Sequence, residues 1–174
     1  WYAIAKITGV KACQAIRNQY QKEYVSLMPT NLYGYFDNFD LQSSHVLPAM
    51  IRKFHEAKIN NHSDVILWGS GAPMREFLFV DDLAEAVLYA LENNLPEYIY
   101  NIGTGKDIAI KELAEMIQNV VGHQGRIFWD ATKPDGAPRK LIDVSKIKDL
   151  GWQYSTELDL GINKTYQWFL ENLD

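Results

Sequence analysis

The sequence predicts an α/β fold built around a parallel or mixed sheet. Three observations lead there. Apolar residues recur at helical spacing over residues 2–20 and again in "IKELAEMIQNVV"; short runs rich in β-branched and aromatic residues, such as "DVILW" and "EYIYNI", lie between the helical stretches; and the two kinds of segment alternate along the chain. Alternation of this kind favours strands joined by helical crossovers. With 174 residues, 47% of them apolar, the chain can build one sizeable core, which argues against disorder.

Taken in order, Ile4, Ile7, Val10, Ala12, Ala15 and Ile16 predict a helix from Tyr2 to about Tyr20, uninterrupted by proline. "EYVSLMP" predicts a buried strand closed by Pro29, which has no N–H to give a ladder. "TNLYGYFDNFDLQSSH" reads as a long loop, and long loops inside domains are often functional. Pro48 suits the first turn of a helix running to about Ala57. "DVILWGSGAPMREFLFV" predicts two strands around a Gly/Pro loop. "DDLAEAVLYALEN" follows as a helix, with Asp81 and Asp82 at the end where the macrodipole favours anions. "EYIYNIGTG" is a strand entering a glycine turn. "IKELAEMIQNVV" is an amphipathic helix ended by Gly122, with Ala109 where a Ser or Thr cap would serve better. "GRIFWD" predicts a strand, "ATKPDGAPRK" a loop and "VSKIKDL" a short helix. The last helix opens at "STELD", where Thr156 and Asp159 form a capping-box pattern. These strands are too few for a complete doubly wound domain with an initial phosphate-binding turn, so a truncated fold is expected.

A net charge of −5 leaves no global basic field for a nucleic-acid backbone or an anionic membrane, so an anionic ligand has to be met by local cations. Runs such as "AVLYAL" and "FLFV" are far shorter than a bilayer span. Cys13 is the single cysteine and cannot form an internal disulfide, which fits a reducing cytoplasm. No pair of His, Cys or carboxylate residues has zinc-site spacing, so no metal is expected. His55, His62 and His123 fall in a helix body, a polar loop and a post-helix turn, where surface or capping roles are expected.

Tyr2 and Lys6 stand four apart on the first helix, hence on one face. An ammonium beside a phenol favours the phenolate and suits the phenol to acid/base work. The same two residues are also ordinary helix-surface residues, and the spacing alone does not decide between the readings.

The company of that pair is informative. "YAIAK", "MPTNLYG", "SHVLPAMIRKFHEA", "WGSGAPMREFLFVDDLA", "NIGTG" and "KPDGAPRK" resemble the extended short-chain dehydrogenase/reductases, and among them the GDP-L-fucose synthase branch. Matching segments run from Trp1 to the closing "TYQWFLEN". The resemblance implies the C-terminal part of a Rossmann-type NAD(P)-binding fold, with residues 1–33 and 78–102 in that domain. Residues 34–77 and 103–174 would form a smaller mixed α/β substrate-binding lobe. The glycine-rich N-terminal half that holds a cofactor pyrophosphate is expected to be absent, since "GSG" and "GTG" are too short to replace it.

The activity implied is NADPH-dependent 3,5-epimerisation and 4-reduction of GDP-4-keto-6-deoxy-D-mannose to GDP-L-fucose, with NADP(H) as cofactor. By resemblance, Tyr2 holds and protonates the sugar's ketone oxygen, Lys6 assists it and bonds the nicotinamide ribose, and His45 is the second acid. The family's partner base is a cysteine ahead of the tyrosine, not Cys13. Pro29, Thr30, Asn31 and Leu32 would join Lys6 and His45 around the cofactor. Lys53, Trp68, Arg75, Asp135 and Lys140 would meet the nucleotide sugar. Lys53 stands where the branch is expected to carry arginine; lysine keeps the charge but lacks the bidentate fork, so this phosphate contact would be looser or fall to Arg52. A homodimer through the helix of Tyr2 and Lys6 is implied, with no nucleic-acid or membrane partner. Two other readings stay open: a neighbouring nucleotide-sugar 4-epimerase or 4,6-dehydratase, and a non-catalytic nucleotide-sugar-binding or dimerisation module.

Overall fold

The computed structural model describes residues 1–173 and forms them into six helices and eight strands. The expected α/β architecture is present, with both parallel and antiparallel pairings. Helix α1 (Tyr2–Tyr20) ends at Gln21 in the left-handed region and buries none of its residues. It is tied to the rest near its end, where Arg17 Nη2 donates to the carbonyls of Leu95 (2.8 Å) and Pro96 (3.0 Å).

Strand β1 (Ser26–Pro29) pairs in parallel with β5 (Ile99–Ile102). It is not the buried strand expected, because Met28 and Pro29 are exposed. With β5 on one side and no strand on the other among the described residues, only part of it is covered. Strand β2 (Asn31–Tyr33) lies within the stretch expected as loop. Pairing with β4 (Met74–Phe79), register Asn31 to Phe77 through Tyr33 to Phe79, overrides the local composition. Two more short strands escape the sequence patterns, β6 (Asp107–Ala109), antiparallel to β4, and β8 (Arg139–Lys140), parallel to it. The remaining pair, β3 (Asp64–Trp68) and β7 (Arg126–Asp130), is parallel as well.

Strand β4 organises the core because it is covered on both faces. Phe77 and Phe79 enter one apolar cluster with Leu47, Ile51 and Phe54 of α2 (Val46–Ile59), Leu113 and Ile117 of α4 (Ile110–Val121), and Ile162 and Phe169 of α6 (Leu158–Glu171). Leu78, pointing the other way, joins Ala86 of α3 (Val80–Glu92), Tyr100 and Ile102 of β5, Ile147 of α5 (Ser145–Asp149), Val144 and Trp152. A strand buried on both faces reads as a continuous apolar run, here "FLF", rather than as an alternation.

The capping box expected from Thr156 and Asp159 does not form. Asp82, buried at the start of α3, takes the amides instead: it accepts from Ser155 N (2.7 Å), Ser155 Oγ (2.9 Å) and Thr156 N (3.2 Å). Helix α6 starts behind Glu157 without a side-chain cap. Asp82 therefore does more than complement its own helix dipole; it anchors the entry to another helix.

Helix α6 also approaches β2 closely. A Cβ on Gly161 would lie 2.0 Å from Tyr33 Oη, and that ring is fixed edge-on against Phe77 and Phe79. Gly161→Ala is expected to lose about 1–3 kcal/mol in urea unfolding despite alanine's better helix propensity, because overpacking outweighs it. A variant as stable as the parent would show that α6 does not need this approach.

Candidate active site

Where β1 ends and β2 begins, a cleft of about 670 Å³ opens, lined by Tyr2, Pro29, Thr30, Asn31, Leu32, His45 and Arg75, together with Tyr33, Asp37 and apolar residues. The C-terminal ends of parallel strands are where α/β folds take ligands. One cleft thus gathers the expected tyrosine, histidine and connecting segment. Lys6 does not line it; its Nζ stands over the Tyr2 ring, 5.3 Å from the centroid, a cation–π contact. Tyr2 is 78% exposed, so its hydroxyl is open to a ligand. His45 sits just before α2 in extended conformation and makes no capping bond. Cys13, on α1, is not among the lining residues.

A second phenol shares the wall, and electrostatics separates the two. Burial, then the charges of Asp82, Asp159 and Glu157, push Tyr33 well above the ordinary tyrosine value. Tyr33 is thereby held as a neutral packing group; of the other two phenols lining the cleft, Tyr2 and Tyr35, Tyr2 is the more exposed and is the candidate acid.

The side chains of Thr30 and Asn31 are engaged with the fold. Thr30 Oγ1 (3.3 Å) and Asn31 Nδ2 (2.7 Å) both donate to the Glu76 carbonyl. What this segment offers a ligand is shape and the apolar faces of Pro29 and Leu32, beside Tyr2 and His45. A largely apolar wall with two polar groups beside it is chemically compatible with a flat nicotinamide ring. The glycine turn after β5 does not supply a phosphate cradle: Gly105 N donates to Glu76 Oε1 at 2.7 Å, and the chain continues into β6 rather than into a helix.

The five residues expected at a nucleotide sugar divide. Arg75 lines the cleft, its Nη1 donating to the Met74 carbonyl (2.7 Å), and lies in register with Lys140 across the β4–β8 ladder. Lys53, Trp68 and Asp135 stand outside that cleft, towards the ends of β3 and β7. Trp68 is 66% exposed between two ammonium groups, Lys53 Nζ at 5.6 Å and Lys133 Nζ at 5.4 Å from its ring centroid. Lys53 also donates to the Ile66 carbonyl (3.0 Å), and burial lowers its pKa. Arg52, the alternative to it, is engaged within the fold, bonding Glu56 (2.7 Å) and the Phe39 carbonyl (3.3 Å).

Asp135 clamps a loop. Its two oxygens accept from Ser70 N and Ser70 Oγ, each at 2.7 Å. Gly69, at φ +83, leaves the room; a Cβ there would meet Asp135 Oδ1 at 2.3 Å. The Ser70 bonds hold the carboxyl below its usual 3.8. With a depressed folded value, the clamp is complete above 3.8 and is lost as pH falls through the lower folded value. The Ser70 amide proton is therefore expected to titrate in NMR with a midpoint below 3.8; a midpoint at or above 3.8 would show the clamp to be open in solution.

Comparison with known proteins places these features. The pattern of the NAD dependent epimerase/dehydratase family matches residues 1–103. The chain belongs to that family. It is similar to GDP-L-fucose synthase of Escherichia coli (strain K12), 53% identical over 182 residues that include 99% of this chain and 57% of that protein. GDP-L-fucose synthase 1 of Arabidopsis thaliana is 53% identical over 173 residues, 99% of this chain and 54% of its own. Among solved structures, a GDP-L-fucose synthetase from Naegleria fowleri bound to NADP superimposes with a TM-score of 0.90 at 31% identity, covering 98% of this chain and 56% of that one. The chain spans about half the length of the curated relatives it matches.

Sequence patterns alone missed several residues of the cleft and of the neighbouring clusters. Asp37 and Tyr35 stand in the cleft wall, and Lys133 and Ser70 complete the Trp68 and Asp135 groups; the Asn/Asp-rich loop and "TKPDG" were the available signals. Two histidines need correction. His55 is a buried core residue with Nδ1 3.1 Å from Tyr166 Oη, its pKa lowered first by burial. His123 is buried and donates from Nε2 to the His62 carbonyl at 2.9 Å. Both pack inside because α2 and the loop after α4 turn inward. Among the described residues, no three His, Cys, Asp or Glu side chains are grouped to hold a metal ion, and no helix is long and apolar enough to cross a membrane.

Proposed function

We propose that this chain supplies the proton-transfer groups and nucleotide-sugar contacts of a GDP-L-fucose synthase, converting GDP-4-keto-6-deoxy-D-mannose to GDP-L-fucose with NADPH. The observation carrying this reading is the single cleft that Tyr2, backed by Lys6, shares with His45. Carbons 3 and 5 of the sugar both flank the ketone, so removing a proton from either places negative charge on the same oxygen. The Tyr2 hydroxyl donates to that oxygen through both epimerisations and finally protonates it. The removed proton goes to the partner base, by resemblance the cysteine that the full-length relatives carry ahead of the tyrosine, and His45 returns a proton to the opposite face of the carbon. NADPH, when bound, supplies the hydride for reduction at carbon 4.

Lys6, Pro29, Thr30, Asn31, Leu32 and His45 form the cofactor side in this reading, the four connecting-segment residues 29–32 through backbone and apolar faces. Lys53, Trp68, Arg75 and Lys140 receive the GDP moiety, and Asp135 holds the loop that carries Trp68's end of the site. Residues 1–33 and 78–102 act as the cofactor lobe and residues 34–77 and 103–174 as the substrate lobe, with residues 142–154 packing back onto the first. Homodimerisation through α1 is supported by Ile4 and Ile7, 59% and 60% exposed on that helix, and a cytoplasmic setting by the lone thiol.

A 4-epimerase or 4,6-dehydratase would share the Tyr2–Lys6 pair, but His45 in the cleft favours the synthase. The test is NADPH consumption by a protein of the relatives' full length containing this chain, given the 4-keto GDP-sugar. Steady consumption with formation of GDP-L-fucose is expected, and no consumption would overturn the assignment. Calorimetry on the 174-residue chain is expected to detect GDP but little NADPH, and sedimentation of the same sample tests the dimer.

A further inference from the structure

Hydrogen bonds lace together the two loops that leave the C-terminal ends of β3 and β7. Gly69 N donates to the Asp130 carbonyl (3.0 Å), and Asp135 accepts from Ser70 N and Ser70 Oγ, so the first loop is fastened to the second at two points. Asp130 Oδ1 accepts from Thr132 N (3.0 Å) and Thr132 Oγ1 (2.6 Å), while Lys133 N donates to the Asp130 carbonyl (3.1 Å). This braced turn sets Lys133 Nζ 5.4 Å from the centroid of the exposed Trp68 ring, which Lys53 Nζ approaches to 5.6 Å.

The same loop also reaches the cleft. A Cβ on Gly136 would lie 3.7 Å from Arg75 Nη2, and Arg75 lines the cleft that holds Tyr2 and His45. The segment from Lys133 to Gly136 thus connects an exposed indole to the cleft wall. A ligand with a flat base at one end, a sugar at the other and phosphates between them suits such a path.

The charges along it are unevenly committed. The Asp130 carboxylate is engaged by Thr132 and the Asp135 carboxylate by Ser70. Lys133 is a minor influence on the Asp130 carboxyl, which is lowered first by its bonds to Thr132. Lys53 Nζ donates to the Ile66 carbonyl (3.0 Å). Lys133 Nζ makes neither a hydrogen bond nor a salt bridge among the described residues and stands only over the indole. A base that stacks on the indole takes the ring face an ammonium holds, and frees that ammonium to meet a phosphate as a point charge.

We infer that Lys133 is a substrate-binding residue that contacts the phosphates of the nucleotide sugar, with the base stacked on Trp68 and Lys53 as the second cation. The inference rests on the nucleotide-sugar reading proposed above and extends it by a residue to which that reading gave no role.

NMR titration of the Trp68 indole N–H in the 174-residue chain tests it, with GDP and guanosine as probes. Lys133 is exposed, and the indole signals of Trp129 and Trp152 report that each variant keeps its fold. Lys133→Gln is expected to weaken GDP about tenfold and guanosine less than about twofold, the loss of one charge-assisted contact to phosphate. Lys133→Arg, which keeps the charge, is expected to retain most of the affinity for GDP. GDP binding unchanged in Lys133→Gln overturns the inference and leaves the functional reading standing. Equal weakening of GDP and guanosine would place the ammonium on the nucleoside and overturn it too. A parent chain whose Trp68 signal moves with neither probe overturns the inference together with the nucleotide part of the functional reading.

Discussion

Tyr2→Phe, in a protein of the relatives' full length that contains this chain, is expected to lower turnover by about 10²–10⁴-fold, the range typical of losing a positioned acid. KM is expected to change little, because the hydroxyl acts on the oxygen as its charge develops rather than on the resting ketone. Stability should not fall. The phenol is largely exposed, its hydroxyl has no hydrogen bond among the described residues, and phenylalanine retains the ring over which the Lys6 ammonium stands. Steady-state NADPH consumption beside a thermal melt separates the two effects. Activity within a few-fold of the parent would remove Tyr2 from the chemistry.

The second large effect concerns stability. Glu76 is fully buried on β4, next to Arg75, and its carboxyl ties three segments together. Oε1 accepts from Gly105 N (2.7 Å) and Thr104 Oγ1 (3.3 Å), and Oε2 accepts from Ile142 N (3.2 Å). Gly103 has no Cβ where one would stand 2.3 Å from Oε1. Glu76→Ala leaves the part-buried N–H groups of Gly105 and Ile142 without this acceptor and opens a cavity in place of a fully buried side chain. Each orphaned donor costs about 1–3 kcal/mol, so a loss of about 3–5 kcal/mol is expected, a large part of the stability of an ordinary domain. Glu76→Gln should fall between, since it keeps one acceptor oxygen. Urea unfolding measures both variants. A loss below 1 kcal/mol for alanine would show that water or local rearrangement satisfies these amides.

The two expectations differ in how they could be reached. Tyr2 is legible because helical periodicity sets it on one face with Lys6 and the motifs that follow resemble those of a known family. Glu76 is not, because "MREFLFV" gives no sign that the turn after β5 and the segment after β8 converge on one carboxyl. The same contrast runs through the fold. Long helices and the apolar strands β3, β4, β5 and β7 announced themselves, whereas β2, β6 and β8, three residues or fewer each, exist through their pairing to β4. Thr156 and Asp159 carried a capping-box pattern that a carboxylate from α3 displaced. His55 and His123 looked polar and peripheral, yet both are buried.

For the site, the resemblance carried by the motifs indicated the tyrosine, the lysine and the histidine, along with the connecting segment Pro29 to Leu32. Distance along the chain hid the second ammonium at Trp68 and the closure of Asp135 on Ser70. The sequence by itself determined the alternation of helices and strands, the apolar faces and the chemistry available, because each depends on neighbours within a turn or two of the same segment. Only the tertiary structure decided which strands pair, which carboxyls are buried and which side chains share a cleft. Those outcomes depend on groups tens of residues apart, whose burial and charge no local pattern records.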